Sequence, residues 1–527
     1  MRLTLLVSTG VALAAAPLPL HAQNVAADLL IRGGTVIDGT GSAPRRADVA
    51  VRGDRIVFIG DAGNRVQASQ VIEATGMIVA PGAVDPHAHV TEDLSDSARA
   101  SNLPFLMQGV TTVITGNDGH GTPNVGPLLA RWEGHGIGTN AAVLVGHGAV
   151  RRTVMGMSSA APTAAELDSM RALVRRAMDA GAVGLSSGLF YAPGSFGTTE
   201  EVIELARVAA ESGGLYDSHT RDESSYGIGL VASVSEAMRI GRESGARVNI
   251  SHIKALGVDV WGLSDTVIAL VRAARAAGEQ VTADQYPYTA SGTSISASML
   301  PRWAESGGRD SVRARLADPA LRPRIEREML DNMRRRGGAN SLLITSTRDS
   351  TLRGKTLLQV AKARGTDTLQ TAIDIILAGG AGVASFNMNE DDIKAFMKED
   401  WVATGSDGSG GHPRKYGTFP RKIRRYVLDD AVISMPAAIR ASSSITARQF
   451  RLAERGELRE GWYADLIVFD PATIRDVSTF EEPQLLATGV KHVLVNGTLA
   501  VRDGAYTGAR AGTVLRGSAG KEAGNGK

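Results

Sequence analysis

The chain has 527 residues, no cysteine, and 57 Lys and Arg residues against 55 Asp and Glu residues, for a formal net charge of +2. This balance gives no reason to expect nucleic acid or an anionic surface as a partner, and the lack of cysteine excludes disulfides and thiol chemistry. The length exceeds what one small core requires and favours a large barrel with a satellite domain.

The first residues are typical of an export signal. Arg2 precedes an apolar run over residues 3–20, and Ala22 offers a small residue for cleavage. The run contains Gly and Pro and is short for a membrane span, although an uncleaved anchor is the alternative. We therefore expect residues 1–22 to be a signal peptide, the protein to be periplasmic or secreted after cleavage, and no stable membrane span.

Short strands are predicted near both ends of the chain. Alternation typical of strands occurs over residues 27–38, 56–60, 77–80, 464–470 and 493–497. The pair Gly33-Gly34 predicts a turn inside the first of these runs. Strands at both ends predict one small β-sandwich built from residues 24–80 and 436–515. The Gly- and Lys-rich tail, residues 516–527, is expected to be disordered.

Strand-like and helical segments alternate between these ends. Thr163 and Glu166 form a capping-box pattern before an amphipathic run, and Thr198 opens another. Regular alternation with right-handed crossovers predicts a (β/α)8 TIM-like barrel over residues 81–435. The candidate barrel strands are residues 110–115, 141–145, 182–187, 215–219, 247–252, 280–286 and 401–406.

The regular spacing breaks between residues 288 and 401. A stretch rich in Arg and Glu, at about residues 297–345, is predicted to be a helical insertion. Segment 383–388 competes with segment 401–406 as the next strand of the barrel, and the sequence leaves this choice open.

Four strand-like runs end in residues of the kind that bind metal ions. Side chains two residues apart on a strand point to the same side, so His87 and His89 face one way. His219, His252 and Asp407 each close a strand of their own, and a parallel barrel brings strand ends to one mouth. Any one of these histidines alone is more often a core residue, but the ordered set predicts a hydrolytic site with one or two metals.

Six stretches carry a family resemblance. They are PGAVDPHAH (81–89), GVTTVITGNDG (109–119), GLSSGLFY (184–191), SHIK (251–254), YPY (286–288) and HPRKYGTF (412–419). With these motifs the chain resembles the amidohydrolase superfamily and, within it, the N-acyl-D-amino-acid deacylases, or D-aminoacylases. The resemblance covers almost the whole mature chain. It implies the barrel, the terminal β-sandwich and metal-dependent hydrolysis of linear amides.

The resemblance also implies a set of ligands and a metal. Six positions are implied as ligands. Asp118, His219 and His252 form the tighter site, whereas His87, His89 and Asp407 either complete a second site or hold the catalytic water. The expected cofactor is one or two Zn²⁺ ions, with Mn²⁺ or Co²⁺ as alternatives.

Position 118 departs from the family pattern. The deacylases usually carry a metal-bridging cysteine where this chain has Asp118. A carboxylate can still bridge metals but is harder than a thiolate, which weakens the preference for Zn²⁺ and admits Mn²⁺ or similar ions. The alternative is that Asp118 is only a turn residue and the site has shifted. No lysine lies at 183–187, where hydantoinase-like relatives place a bridging lysine, and this argues against that branch.

The remaining candidates act on protons and on the substrate. Asp407 is the candidate general base and acid, which takes a proton from water and passes it to the amide nitrogen. Lys254 faces the same way as His252 and is the candidate for binding the substrate carboxylate. Other candidates for substrate binding, the first three by resemblance, are Tyr191, Tyr286, Ser291 and Arg414.

Three further residues have two readings. Arg221 and Glu223 either order the ligands or form a structural ion pair, and His147 either faces the site or has a structural role.

We therefore expect metal-dependent hydrolysis of the amide bond of N-acyl-D-amino acids, or of dipeptides that end in a D-residue. The partner is then a small-molecule substrate and no nucleic acid. The D configuration follows from the resemblance alone. The alternatives are another amidohydrolase that acts on cyclic amides, as hydantoinases do, and a non-catalytic binding barrel.

Overall fold

The computed structural model describes residues 24–517. The predicted signal peptide, residues 1–22, lies outside them, as does the predicted tail from residue 518 onward. Among the described residues, no helix combines the length and the apolar character that crossing a bilayer requires.

The strands alternate with helices through the middle of the chain and dominate its two ends. The strands are β1 (Val25–Val36), β2 (Arg45–Arg52), β3 (Arg55–Gly60), β4 (Val66–Glu73), β5 (Ile78–Pro81), β6 (Ala83–Asp85), β7 (Val110–Thr115), β8 (Asn140–Val143), β9 (Val145–Gly146), β10 (Gly184–Gly188), β11 (Leu215–His219), β12 (Arg247–Ile250), β13 (Val281–Gln285), β14 (Ala290–Ser294), β15 (Leu342–Thr347), β16 (Ala381–Phe386), β17 (Val402–Thr404), β18 (Leu466–Phe469), β19 (Val490–Val495), β20 (Thr498–Arg502) and β21 (Ala505–Tyr506).

The helices are α1 (Thr91–Ser95), α2 (Leu103–Leu106), α3 (Val125–His135), α4 (His147–Met155), α5 (Ala164–Asp179), α6 (Thr199–Glu211), α7 (Leu230–Ser244), α8 (Ser264–Ala276), α9 (Ile295–Met299), α10 (Arg309–Ala317), α11 (Arg322–Arg335), α12 (Leu357–Arg364), α13 (Thr368–Leu377), α14 (Glu390–Met397), α15 (Arg414–Arg421), α16 (Met435–Ser442) and α17 (Ser444–Gln449). The predicted caps of α5 and α6 are present, because the hydroxyls of Thr163 and Thr198 accept bonds from the third backbone N–H of their helices.

Both termini contribute to one nine-stranded sheet, in the order β21-β20-β19-β18-β5-β1-β2-β3, with β4 on β1. The predicted turn at Gly33-Gly34 is wrong, since β1 runs through it and only shifts its register against β2 there. Val49 of β2 and Val468 of β18 are not on neighbouring strands, yet they share one apolar cluster. The sheet therefore curls over a common core, and the predicted β domain from both termini is confirmed.

The barrel has eight parallel strand positions, one of which is shared by β8 and β9. Strands β6, β7 and β8 pair in that order, and β9, β10, β11, β12, β13 and β17 continue the ring. Only Leu144 separates β8 from β9, so these two segments act as one strand of the barrel. The ring closes where the backbone N–H of Asp407 donates to the carbonyl of His87 at 2.8 Å. This closure joins the strand that carries the HxH pair to the strand that carries Asp407.

The segment between β13 and β17 is larger than the predicted helical insertion. It contains helices α9 to α13 and a three-stranded antiparallel sheet in the order β14-β16-β15, and its own apolar core extends from Ile295 to Val383. Segment 383–388 therefore does not join the barrel, because β16 pairs with β14 and β15 while β17 pairs with β13.

Candidate metal centre

Six side chains meet at the carboxyl-terminal mouth of the barrel, each at or just after the end of a strand. They are His87 and His89 after β6, Asp118 after β7, His219 at the end of β11, His252 after β12 and Asp407 after β17. Their ligand-type atoms form two groups, each within 4.8 Å: His87, His89, Asp118 and Asp407 in one, and Asp118, His219 and His252 in the other. Asp118 belongs to both groups.

Asp118 lies between four histidines. Its Oδ1 is 3.4 Å from His87 Nε2, 3.5 Å from His219 Nδ1 and 3.3 Å from His252 Nε2. Its Oδ2 is 3.3 Å from His89 Nε2. One carboxylate thus reaches both groups of histidines, which is the placement that a bridging ligand requires.

Asp407 connects the first group of ligands to an arginine. Its Oδ1 is 3.0 Å from His89 Nε2 and 3.8 Å from His87 Nε2. Its Oδ2 is 2.8 Å from Arg414 Nη1, and both of these side chains are buried. Asp407 is therefore held in place from both sides.

Several ligand-type atoms in this cluster are buried without a hydrogen-bond partner among residues 24–517. They are both ring nitrogens of His87, Nε2 of His219 and Oδ1 of Asp118. In addition, His219 Nδ1 and His252 Nε2 face each other at 2.9 Å. Buried polar groups normally have partners, and imidazole nitrogens with carboxylate oxygens suit Zn²⁺ and similar divalent ions. The residues present therefore fit a divalent cation.

Glu223 and Lys254 fix the ring of His252. Glu223 Oε1 is 3.0 Å from His252 Nδ1 and also accepts a bond from Lys254 Nζ. A proton on Nδ1 is stabilised by Glu223 and leaves Nε2 free to bind a cation. Of the two interpretations left open by the sequence, Glu223 thus orders a candidate ligand, whereas Arg221 forms an ion pair with Glu236 at 2.8 Å.

The electrostatics keep both carboxylates of the cluster ionised. Burial by itself raises the pKa of Asp118, but His87, His219 and His252 hold that pKa well below its usual value. Burial and Arg414 oppose each other in the same way at Asp407, and its pKa is also lowered. Asp118 and Asp407 are therefore negative ligand groups at neutral pH.

Three residues of the cluster adopt a left-handed backbone. The φ angles are +57° for Asp118, +35° for His252 and +47° for Asp407. Such angles are unfavourable for residues with a Cβ atom, and they concentrate at functional sites. Asp118 is thus a turn residue at a strand end, as the alternative interpretation expects, but the cluster has not shifted away from it.

Comparison with known proteins identifies the family. The model of the Amidohydrolase family matches residues 70–501. A D-aminoacylase from Alcaligenes xylosoxydans xylosoxydans is 36% identical over 517 residues, covering 93% of this chain and 97% of that protein. The chain belongs to the amidohydrolase family. Within that family it belongs with the D-aminoacylases and N-acyl-D-amino-acid deacylases.

Solved amidohydrolase structures agree with this placement. A crystal structure of D-aminoacylase matches with a TM-score of 0.80 and 34% identity, covering 93% of this chain and 99% of that chain. An N-acyl-D-glutamate deacylase from Bordetella bronchiseptica, in complex with zinc and a phosphonate inhibitor, matches with a TM-score of 0.79, 34% identity and the same coverage. A D-hydantoinase, at a TM-score of 0.55 and 14% identity over 93% of this chain and 98% of that chain, shares the fold alone.

A cavity of about 840 Å³ opens over the cluster of this amidohydrolase. All five residues predicted for substrate binding line it: Tyr191, Lys254, Tyr286, Ser291 and Arg414. Two cations lie near the ring of Tyr286, with Lys254 Nζ 5.6 Å and Arg414 Cζ 4.6 Å from its centroid. Ser291 belongs to β14, so the inserted segment forms part of the wall.

Sequence reasoning missed a polar layer beneath the cluster. Asn249 donates to Asp217 and to Asp284, at 2.8 Å each, from the buried interior of three adjacent strands. Asp284 also accepts the backbone N–H of His252 at 2.9 Å, which supports the position of that ligand. In the sequence, the signal for this layer was the presence of charged and amide residues within otherwise apolar strands.

His147 hydrogen-bonds to Glu201 at 2.8 Å and does not line the cavity, which favours the structural role over a role in the site.

Proposed function

We propose that this enzyme hydrolyses the amide bond of N-acyl-D-amino acids, or of dipeptides that end in a D-residue. The observation that carries the proposal is the bridging placement of Asp118 at the floor of a cavity with two buried cations, Lys254 and Arg414. The D configuration is supported by the relatives named D-aminoacylase and N-acyl-D-glutamate deacylase.

The six side chains of the cluster are the proposed holders of one or two Zn²⁺ ions, with Mn²⁺ or Co²⁺ as alternatives. Asp118 is the proposed bridge, and its hard carboxylate favours the latter ions more than a thiolate would. When bound, such an ion lowers the pKa of water towards neutrality and polarises a carbonyl group.

Asp407 is the proposed proton carrier. Its Oδ1 lies 3.0 Å from His89 Nε2, within the ligand group that would activate water once an ion is bound. Arg414 keeps the carboxylate ionised and so able to accept a proton from that water. Because the resulting acid is strong, it readily gives the proton to the leaving amide nitrogen.

The α-carboxylate of the substrate is proposed to bind beside Tyr286, between Lys254 and Arg414. Both cations already contact a carboxylate, Glu223 and Asp407 respectively. An ammonium group has three N–H donors, so Lys254, which donates to Glu223, has donors left for the substrate. Nε of Arg414 is buried without a partner among the described residues. Tyr191 and Ser291 complete the proposed set.

The alternatives have less support. β10 presents Ser186 and Ser187 and contains no lysine, and the D-hydantoinase shares only the fold, so hydrolysis of cyclic amides is not favoured. A non-catalytic barrel does not account for ionised carboxylates that are buried beside histidine nitrogens with no hydrogen-bond partner among residues 24–517. We also propose export after cleavage near Ala22, which N-terminal sequencing of the mature protein would test.

The direct test is a turnover assay with matched N-acetyl-D- and N-acetyl-L-amino acids, using enzyme reconstituted with Zn²⁺, Mn²⁺ or Co²⁺. We expect release of the free D-amino acid and at most slow release of the L-form. Turnover of hydantoin but not of the linear amides, or a preference for the L-series, would overturn the proposal.

A further inference from the structure

Arg336 is a buried cation without a carboxylate partner among the described residues. Its side chain lines the cavity, and the residue is only 2% exposed. Its Nε and Nη1 have no hydrogen-bond acceptor, and among residues 24–517 its guanidinium makes no ion pair. A buried charge without a partner is unfavourable. An acceptor that arrives with a ligand would remove this cost.

The surroundings of Arg336 are preformed. The guanidinium lies 5.7 Å from the ring centroid of Tyr226, and the hydroxyl of Tyr226 is also buried without a partner among the described residues. The backbone carbonyl of the preceding residue, Arg335, lies against Gly257. A Cβ atom added at Gly257 would be only 2.2 Å from that carbonyl oxygen. This contact holds the end of α11 against the loop that follows β12.

The other arginines of this wall differ from Arg336. Arg302 donates to the carbonyls of Ala297 and Leu300 and pairs with Glu305, so its guanidinium already has partners. Arg309 and Arg348 are exposed at the cavity edge. Arg336 therefore stands out among the cavity arginines by combining deep burial and unused donors with the lack of a carboxylate partner among the described residues.

We propose that Arg336, together with the hydroxyl of Tyr226, binds a second, distal carboxylate of the substrate. This subsite rests on the proposed function. The α-carboxylate adjoins the scissile amide and so needs a cation beside the ligands, as Arg414 and Lys254 are. Arg336 contacts the ring of Tyr226, which is 5.3 Å from the ring of Phe190, and Phe190 in turn is 6.0 Å from the ring of His219. It therefore suits a carboxylate several bonds from the amide.

Such a carboxylate has two sources, the side chain of an acidic D-amino acid or a dicarboxylic acyl group. The test compares kcat/KM for N-acetyl-D-glutamate with N-acetyl-D-glutamine, and for N-succinyl-D-leucine with N-succinamoyl-D-leucine. Each pair exchanges a carboxylate for a neutral amide of similar shape. The variants are Arg336→Met, Arg336→Lys, Tyr226→Phe and the control Arg309→Met.

We expect wild-type enzyme to prefer the acid in one pair, which identifies the source. Arg336→Met should reduce that preference by about tenfold to a hundredfold, since a charge-assisted bond is lost. Arg336→Lys should restore part of it, Tyr226→Phe should lose a smaller part, and Arg309→Met should retain it. Turnover of N-acetyl-D-leucine should change little. Unchanged preference in both pairs, or an equal loss on every substrate, would overturn the proposal.

The melting temperature distinguishes a carboxylate subsite from a purely structural role of Arg336. Arg336→Met removes an unpaired buried charge, so the melting temperature of the enzyme without substrate should hold or rise. A clear fall would show a structural role instead.

Calorimetry keeps the subsite testable apart from turnover. If wild-type enzyme hydrolyses none of the four substrates, the proposed function fails by itself. Calorimetric binding of the same two pairs then tests the subsite, and equal affinities of the wild type within both pairs would refute it.

Discussion

Replacing Asp407 with Asn should nearly abolish turnover while most of the bound metal remains. The substitution keeps the shape of the side chain and one oxygen but removes the negative charge that lies 2.8 Å from Arg414 and 3.0 Å from His89. General acid–base groups contribute about 10²–10⁴-fold to rate, or roughly 3–5 kcal/mol of activation free energy. The other five ligand positions of the cluster are untouched.

The same substitution has a second expected effect, on stability. It leaves the buried guanidinium of Arg414 without a charged partner, and breaking a buried pair costs about 3–5 kcal/mol. The ring of Tyr286, 4.6 Å from Arg414 Cζ, offsets a small part of this. Asp476→Asn is the matched control, because Asp476 pairs with Arg421 at 3.0 Å and does not line the cavity.

The assay measures kcat on an N-acetyl-D-amino acid, metal content by mass spectrometry and the urea midpoint, for the wild type and both variants. We expect Asp476→Asn to lose some stability and no kcat. If Asp407→Asn keeps kcat within about threefold of wild type at full metal content, Asp407 does not carry the proton. If metal and activity disappear together, Asp407 acts as a ligand rather than as the base.

Three further predictions concern other single residues. Lys254→Met should raise KM about tenfold to a hundredfold for substrates with a free α-carboxylate. It should affect amidated substrates much less, and equal losses would show that Lys254 acts only through Glu223 and His252. Asp118→Ala should lower metal content and activity together, and Asp118→Cys should restore binding with a shift towards Zn²⁺; full metal and activity in Asp118→Ala would end the bridge assignment. Burial lowers the pKa of Lys422 from 10.5 to about 7. Between these two pH values the lysine is protonated in the unfolded chain but neutral in the folded one. The free energy of unfolding should therefore rise with pH across this window, by up to roughly 5 kcal/mol. Lys422→Met should flatten this rise in urea midpoints measured from pH 6 to pH 10, and an unchanged rise would refute the assignment.

The centre of the site could be predicted because strand ends carry it. The period of two along a strand places His87 and His89 on one side, and the parallel barrel brings the later strand ends to the same mouth. All six expected ligand positions do meet there. Their division into two groups with Asp118 in common came from the family resemblance, since spacing alone does not give distances between strands.

The wall of the site was harder to predict. The inserted segment contains short strands with a weak sequence pattern: β14, Ala290–Ser294, has small polar residues and little alternation of apolar side chains. Arg336 directly follows α11 of the same segment. It reaches the cavity because α11 packs on other helices of the insertion and on the loop after β12, and these are tertiary contacts. The pairing of Lys254 with Glu223 likewise depends on the fold, because the two residues are 31 positions apart.

The most direct test of metal-dependent hydrolysis is a metal titration of the enzyme after removal of bound metal with a chelator. We predict that hydrolysis of an N-acetyl-D-amino acid is absent without metal and rises as Zn²⁺, Mn²⁺ or Co²⁺ fills a stoichiometric site. We also predict that Asp118→Ala weakens this binding. Full hydrolysis in the metal-free enzyme, or none at any metal loading of folded protein, would contradict the proposed function.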